Sequence, residues 1–166
     1  AVITPVVEEL GKTLLLGVMG VWRRPPVVTS FLWGAACGLG FAWLEGISNG
    51  ALGMTSTAAW LGGVGLRVPA TAMHCLTSGV VGFGWGWFWE GRRWRLPLAY
   101  ALAIIFHGLW NFAVILGLGG LGLTGSAPGV GFVAIAAAAL LEVSLVVSAL
   151  VGLVAIPLAL RKRAVA

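Results

Sequence analysis

Apolar residues in this chain fall into runs of bilayer length, about 20 residues each, separated by basic clusters and glycine-rich stretches. The pattern predicts an all-α fold, a polytopic transmembrane helical bundle of about five spans, forming a single domain over residues 1–166 with no internal repeat. The first span covers residues 6–21 and stops at Trp22, Arg23, Arg24, Pro25 and Pro26, where two charges and two prolines prevent a continuing helix. The second covers residues 28–47. The stretch 48–66, rich in Gly, Ser and Thr with only Trp60 as a bulky anchor, reads as a loop with room for a short interfacial helix. The third span, 68–89, ends in Trp85, Trp87, Phe88 and Trp89 followed by Glu90, Arg92, Arg93, Trp94 and Arg95, a mixture suited to a membrane–water boundary. The fourth covers 96–116, the uncharged stretch 117–131 reads as the next loop, and the fifth lies within 130–160 before Arg161, Lys162 and Arg163.

Composition agrees with a chain whose solvent is lipid. Hydrophobic residues make up 60% of it and charged residues 9%, whereas a soluble domain needs roughly a quarter of its residues charged. Cys37 and Cys75 both sit in apolar runs and define no disulfide framework. The net charge of +5 raises the question of nucleic acid, but most basic residues flank apolar spans. They read as topology anchors, with no nucleic-acid partner and the bilayer as the immediate partner. Arg23, Arg24, Arg92, Arg93, Arg95, Arg161, Lys162 and Arg163 fall on one side of the five-span layout. The positive-inside rule makes that side the cytoplasm, giving a multi-pass protein of the cell membrane with a cytoplasmic C-terminus. A start at Ala1 without methionine fits either upstream spans or a removed signal.

Charged groups inside the spans change the picture most, since each costs about 2.5 to 3.5 kcal/mol at mid-bilayer on insertion scales. Glu8, Glu9 and Lys12 lie in the first span, Glu45 at the end of the second, Arg67 and His74 in the third, His107 and Asn111 in the fourth, and Glu142 in the fifth. Counted from the cytoplasmic ends, Glu8 is about 20 Å deep, Glu45 about 26 Å, His74 about 22 Å, His107 about 17 Å and Asn111 about 22 Å. Residues of four helices thus share one layer in the outer half of a core about 30 Å thick. Helical spacing puts Glu8 with Lys12, Phe41 with Glu45, His107 with Asn111, and the series Arg67, Thr71, His74, Ser78 each on one face.

Plain structural readings exist for each residue alone. Glu8 and Lys12 fit an intrahelical ion pair, His74 a hydrogen-bonded core histidine, and Asn111 a helix–helix bond. Gly38, Gly40, Gly79 and Gly82 suit close helix packing, and Cys75 a small packing residue. Most of the nine tryptophans suit interface anchors. Trp43 and Trp110, next to the polar residues, suit the wall of a pocket. One shared depth in four helices favours a common site over four separate explanations.

Read in order, Glu8-Glu9-Leu10-Gly11-Lys12 fits E-E-x-x-K, Phe41 to Glu45 fits F-x-x-x-E, Arg67 through His74 to Gly79 fits an R and H segment, and His107 to Asn111 fits H-x-x-x-N. This series, within residues 5–115, resembles the PrsW-type intramembrane proteases, relatives of the CAAX-processing and bacteriocin-processing endopeptidases. The resemblance implies hydrolysis of a peptide bond in or beside the membrane segment of a membrane-tethered protein, such as an anti-sigma-factor-like regulator. It also implies more spans than five. In the CAAX-processing relatives the second motif ends in His; Glu45 here favours the PrsW branch and argues against prenylated substrates.

By that resemblance Glu8 is the general base that activates water and Glu9 orients it or shares its proton. His107 and Asn111 suit an oxyanion hole. His74 and Glu45 position the water and fix imidazole tautomers, and Lys12 and Arg67 balance charge. No cofactor is expected on this reading. The alternative is a zinc site with His74, His107 and Glu8 or Glu45 as ligands, although no H-E-x-x-H spacing is present. A non-enzymatic proton or cation transporter, or a helix-binding membrane protein, uses similar residue types. Such a pathway would carry ionisable groups toward both faces, whereas here they gather in the outer half. Glu142 has no role in any of these readings.

Overall fold

The computed structural model describes residues 3–53 and 56–165 and consists of five helices. They are α1 (Ile3–Arg23), α2 (Val27–Gly53), α3 (Thr57–Trp89), α4 (Arg95–Leu123) and α5 (Pro128–Val165). Three contain segments long and apolar enough to cross a membrane: Val27–Ser48, Arg95–Leu123 and Pro128–Leu160. Leu140, Val143, Val147 and Val151 lie bare along α5, an outward face that lipid and not water would tolerate. The chain is a helical membrane bundle. In α1, Glu8, Glu9 and Lys12 interrupt the apolar run, and this helix carries the densest part of the charged cluster described below.

Two expected loops are instead mostly helical. Of residues 48–66, α2 takes those up to Gly53 and α3 resumes at Thr57. Of residues 117–131, α4 takes those up to Leu123 and α5 begins at Pro128. Glycine breaks helices chiefly where water can bond the freed backbone, and in an apolar setting the backbone keeps its internal bonds. Gly120 and Gly131 also have a packing reason to lie in helices. A Cβ on Gly120 would stand 2.8 Å from the Gly131 carbonyl oxygen, so the α4–α5 hairpin closes only with glycine there. Residues 54 and 55 and the side chains of Trp60 and of Arg161, Lys162 and Arg163 lie outside the described set.

The remaining ends follow their local chemistry. Past α1 the chain turns at Arg24, with φ 38°, into Pro25 and Pro26. α3 closes on Gly91, φ 87°, whose N–H bonds to the Phe88 carbonyl while Arg92 N–H reaches that of Trp87. This is the Schellman pairing that a left-handed glycine permits.

α3 is the central helix. One side of it meets α4 and α5 in a core of Ala70, Met73, Leu76, Trp110, Leu145 and Ala149. Another side lies almost backbone to backbone against α2. A Cβ on Gly34 would come within 2.2 Å of the Ser78 carbonyl, on Gly38 within 2.1 Å of that of His74, and on Gly82 within 2.2 Å of that of Ser30. Gly79 packs against the Phe31 ring, where a Cβ would stand only 3.0 Å from a ring carbon. Gly40 meets nothing within 4 Å, so the expected packing role does not hold for it, because it faces away from the seam. α1 is seated by aromatic rings, with Gly17 under Trp85 and Gly20 under Trp89.

Candidate functional site

Four helices meet in one charged cluster, and α1 supplies its centre. Glu9 is fully buried although it carries a carboxylate. A charge in that position persists only when paired and hydrogen-bonded, and Glu9 is both. Its Oε1 accepts from Lys12 Nζ at 3.0 Å, Thr77 Oγ1 at 3.0 Å and His107 Nδ1 at 2.9 Å, and its Oε2 accepts from Ser78 Oγ at 3.4 Å. Thr13 donates to the Glu9 carbonyl at 2.6 Å, and its hydroxyl lies 2.8 Å from the Tyr100 hydroxyl on α4.

A second line runs from Lys12 outward. Its ammonium donates to His74 Nδ1 at 2.8 Å, and His74 Nε2 lies 2.9 Å from Glu45 Oε2. Arg67 Nη2 is 3.4 Å from Glu45 Oε1, an ion pair at the half-buried edge of the cluster. Phe41, one turn before Glu45, places its ring 4.2 Å from the Lys12 ammonium and 5.6 Å from the His74 ring. The α2–α3 glycine seam makes this possible, because Gly38 abuts the His74 carbonyl itself.

These contacts assign the imidazole tautomers. An ammonium can only donate and a carboxylate can only accept. His74 therefore accepts at Nδ1 and donates from Nε2 to Glu45. His107 donates from Nδ1 to Glu9, which turns its Nε2 toward Glu8. The two rings stand edge to face, 5.0 Å between centroids.

Glu8 differs sharply from Glu9. Its side chain retains 17% exposure, and its Oε2 is a buried acceptor without a hydrogen bond. Lys12 lies 3.2 Å from that oxygen as an ion pair outside hydrogen-bonding geometry, and His107 Nε2 faces it at 3.7 Å. The gap is too long for a direct hydrogen bond, and a water can bridge it.

The structure thus brings together Glu8, Glu9, Lys12, Glu45, Arg67, His74 and His107. Asn111, half-buried one turn beyond His107, takes no part in the hydrogen-bond network. Trp43 is 72% exposed and walls no pocket, because it points off the outer face of α2. Trp110 is buried in the α3–α4–α5 core instead. Glu142 makes none of the cluster's contacts. Thr13, Thr77 and Tyr100 were not anticipated. Each sits at helical spacing from a motif residue, four after Glu9, three after His74 and seven before His107, and that spacing is the signal that could have found them.

A family model described as PrsW family intramembrane metalloprotease matches residues 1–143. The chain belongs to the PrsW family. The PrsW match reaches past the last recognised motif into the first part of α5 and ends before Leu145 and Ala149, the residues by which that helix joins the core. Comparison with curated proteins and with solved structures found no match. Membership makes the chain an integral membrane peptidase.

The PrsW description names a metal, and the donor atoms can be tested for it. Glu8, His74 and His107 each offer one ligand atom within 4.8 Å of the others. As arranged they do not fit. The Lys12 ammonium engages Glu8 at 3.2 Å and His74 Nδ1 at 2.8 Å, and the other His74 nitrogen is held by Glu45. A divalent ion about 4 Å from that ammonium would meet a repulsion of about 8 kcal/mol at an effective dielectric constant of 20. A tethered cation already occupies the space among these donors.

Proposed function

We propose that this chain is a metal-free, glutamate-type intramembrane endopeptidase with Glu8 as the base. It hydrolyses a peptide bond in or beside the membrane segment of a membrane-tethered protein, an anti-sigma-factor-like regulator being the class implied by the motifs. The observation that carries the reading is the buried Glu8 Oε2, which accepts no hydrogen bond and faces His107 Nε2 at 3.7 Å.

A water held between them, with His107 Nε2 unprotonated, points one O–H at each. Glu8 takes a proton as the water oxygen attacks the scissile carbonyl, and returns it to the leaving amine. Glu9 acts through His107, fixing its Nδ1–H so that Nε2 faces the water. Asn111, free of the network, has an amide to donate to the oxyanion; His107 Nε2 takes the second proton of the water, donates with Asn111 to the oxyanion and then gives that proton to the departing amine. Lys12 and Arg67 balance three carboxylates, and Glu45 with Lys12 fixes the ring of His74.

Glu45 stands where the CAAX-processing endopeptidases carry His, which favours the PrsW branch within that wider kinship. The basic clusters favour a cytoplasmic C-terminus, with the site toward the outer half of the bilayer. Treatment of the purified protein with EDTA tests the chemistry. Cleavage of a membrane-tethered reporter should survive it, and activity lost to EDTA and restored by zinc would establish the metal-dependent reading instead.

A further inference from the structure

The position of Lys12 carries an inference beyond the peptidase reaction. Its side chain is completely buried, and its Nζ lies 2.8 Å from His74 Nδ1, 3.0 Å from Glu9 Oε1, 3.2 Å from Glu8 Oε2 and 4.2 Å from the Phe41 ring centroid. Two of these partners, Glu8 and His74, also belong to the one triad of described residues whose donor atoms could hold a metal. The third member, His107, has its Nδ1–H tied to Glu9, the arrangement that aims the other imidazole nitrogen of a metal-binding histidine. His74 Nε2 is tied to Glu45 in the same way, which aims Nδ1 inward. A His₂Glu set with oriented rings is thus complete except that an ammonium stands in the cation's place.

We propose that the chain contains a latent divalent-cation site, formed by Glu8, His74 and His107, from which Lys12 excludes the ion. Lys12 acts as a tethered monovalent cation. It pairs with the charges of Glu8 and Glu9 and donates to His74, so the native cluster gains nothing from a divalent ion that must displace it. With Lys12 neutralised, Glu8 and His74 Nδ1 are both released toward His107 Nε2. The donors, which all lie within 4.8 Å of one another, then need to close to about 3.4 Å, the ligand separation of a tetrahedral site with bonds near 2.1 Å. A histidine and a glutamate side chain can swing that far by rotamer adjustment.

Cobalt(II), which reports its coordination by visible absorption, tests this on the purified full chain with no substrate present. Lys12→Met should bind one Co²⁺ per chain at least about 100-fold more tightly than native protein, as expected when an adjacent like charge is removed. Its melting temperature should rise with Co²⁺ while that of native protein stays fixed. Adding His107→Ala to Lys12→Met should abolish both signals, and Lys12→Arg should bind no better than native. Should Lys12→Met fail to fold, Lys12→Gln, whose amide still donates to Glu9, takes its place. Native protein binding one Co²⁺ as tightly as the variant would overturn the proposal, as would a folded variant that binds none. Because binding is read without cleavage, this result and that of the peptidase assay stand or fall separately.

Discussion

Replacing Glu9 should damage the fold far more than replacing its neighbour Glu8, although both are glutamates of one motif. Glu9 is fully buried and accepts four side-chain hydrogen bonds, two of them from Lys12 and His107. In Glu9→Leu the Lys12 ammonium keeps only Glu8 as a carboxylate partner, and a broken buried pair costs about 3 to 5 kcal/mol. Glu9→Gln keeps an acceptor for Lys12, Thr77 and His107 and loses the charge and the acceptor of Ser78, a cost of about 1 to 3 kcal/mol. Glu8→Gln removes one ion pair without hydrogen-bond geometry at a side chain that keeps 17% exposure, at a cost of about 1 kcal/mol or less. The nine tryptophans make fluorescence in detergent micelles a convenient monitor of denaturant unfolding. A cycle with Lys12→Met should show strong coupling to Glu9→Leu, the double variant costing less than the sum of the two. The reasoning fails if Glu8→Gln is as destabilised as Glu9→Leu, or if Glu9→Leu unfolds within about 0.5 kcal/mol of native.

The α2–α3 seam gives a paired test. Gly38→Ala places a methyl 2.1 Å from the His74 carbonyl and should cost more than the usual overpacking range of about 1 to 3 kcal/mol, with reporter cleavage lost as His74 shifts; Gly40→Ala, which meets nothing, should melt like native. Tryptophan supplies another pair: Trp110→Ala, in the core, should lose about 3 to 5 kcal/mol of stability, while Trp43→Ala, 72% exposed, should unfold at the native denaturant midpoint.

Much of the site was legible because ionisable residues are conspicuous in an apolar chain. Glu8, Lys12, Glu45, Arg67, His74 and His107 stand out by cost alone, and spacing along the spans puts them in one layer. The difference between Glu8 and Glu9 was not legible. Adjacent residues on a helix point about 100° apart, and which of them meets Thr77 and Ser78 depends on how α1 is rotated, something set by Gly17 and Gly20 under Trp85 and Trp89. Helix ends were misjudged where glycine is dense, since Gly120 and Gly131 serve close approach and not a turn. Trp43 was misplaced because proximity in sequence to Glu45 says nothing about which face of α2 it occupies. Thr13 and Tyr100 went unnoticed because neutral hydroxyls cost little in a helix and become meaningful only beside a buried carboxylate.

The central claim, that Glu8 activates the water that cuts the peptide bond, is tested most directly in proteoliposomes containing a membrane-tethered reporter. Native protein should cleave it, and Glu8→Gln, folded and reconstituted to the same level, should not. Cleavage by Glu8→Gln at the native rate would contradict the account.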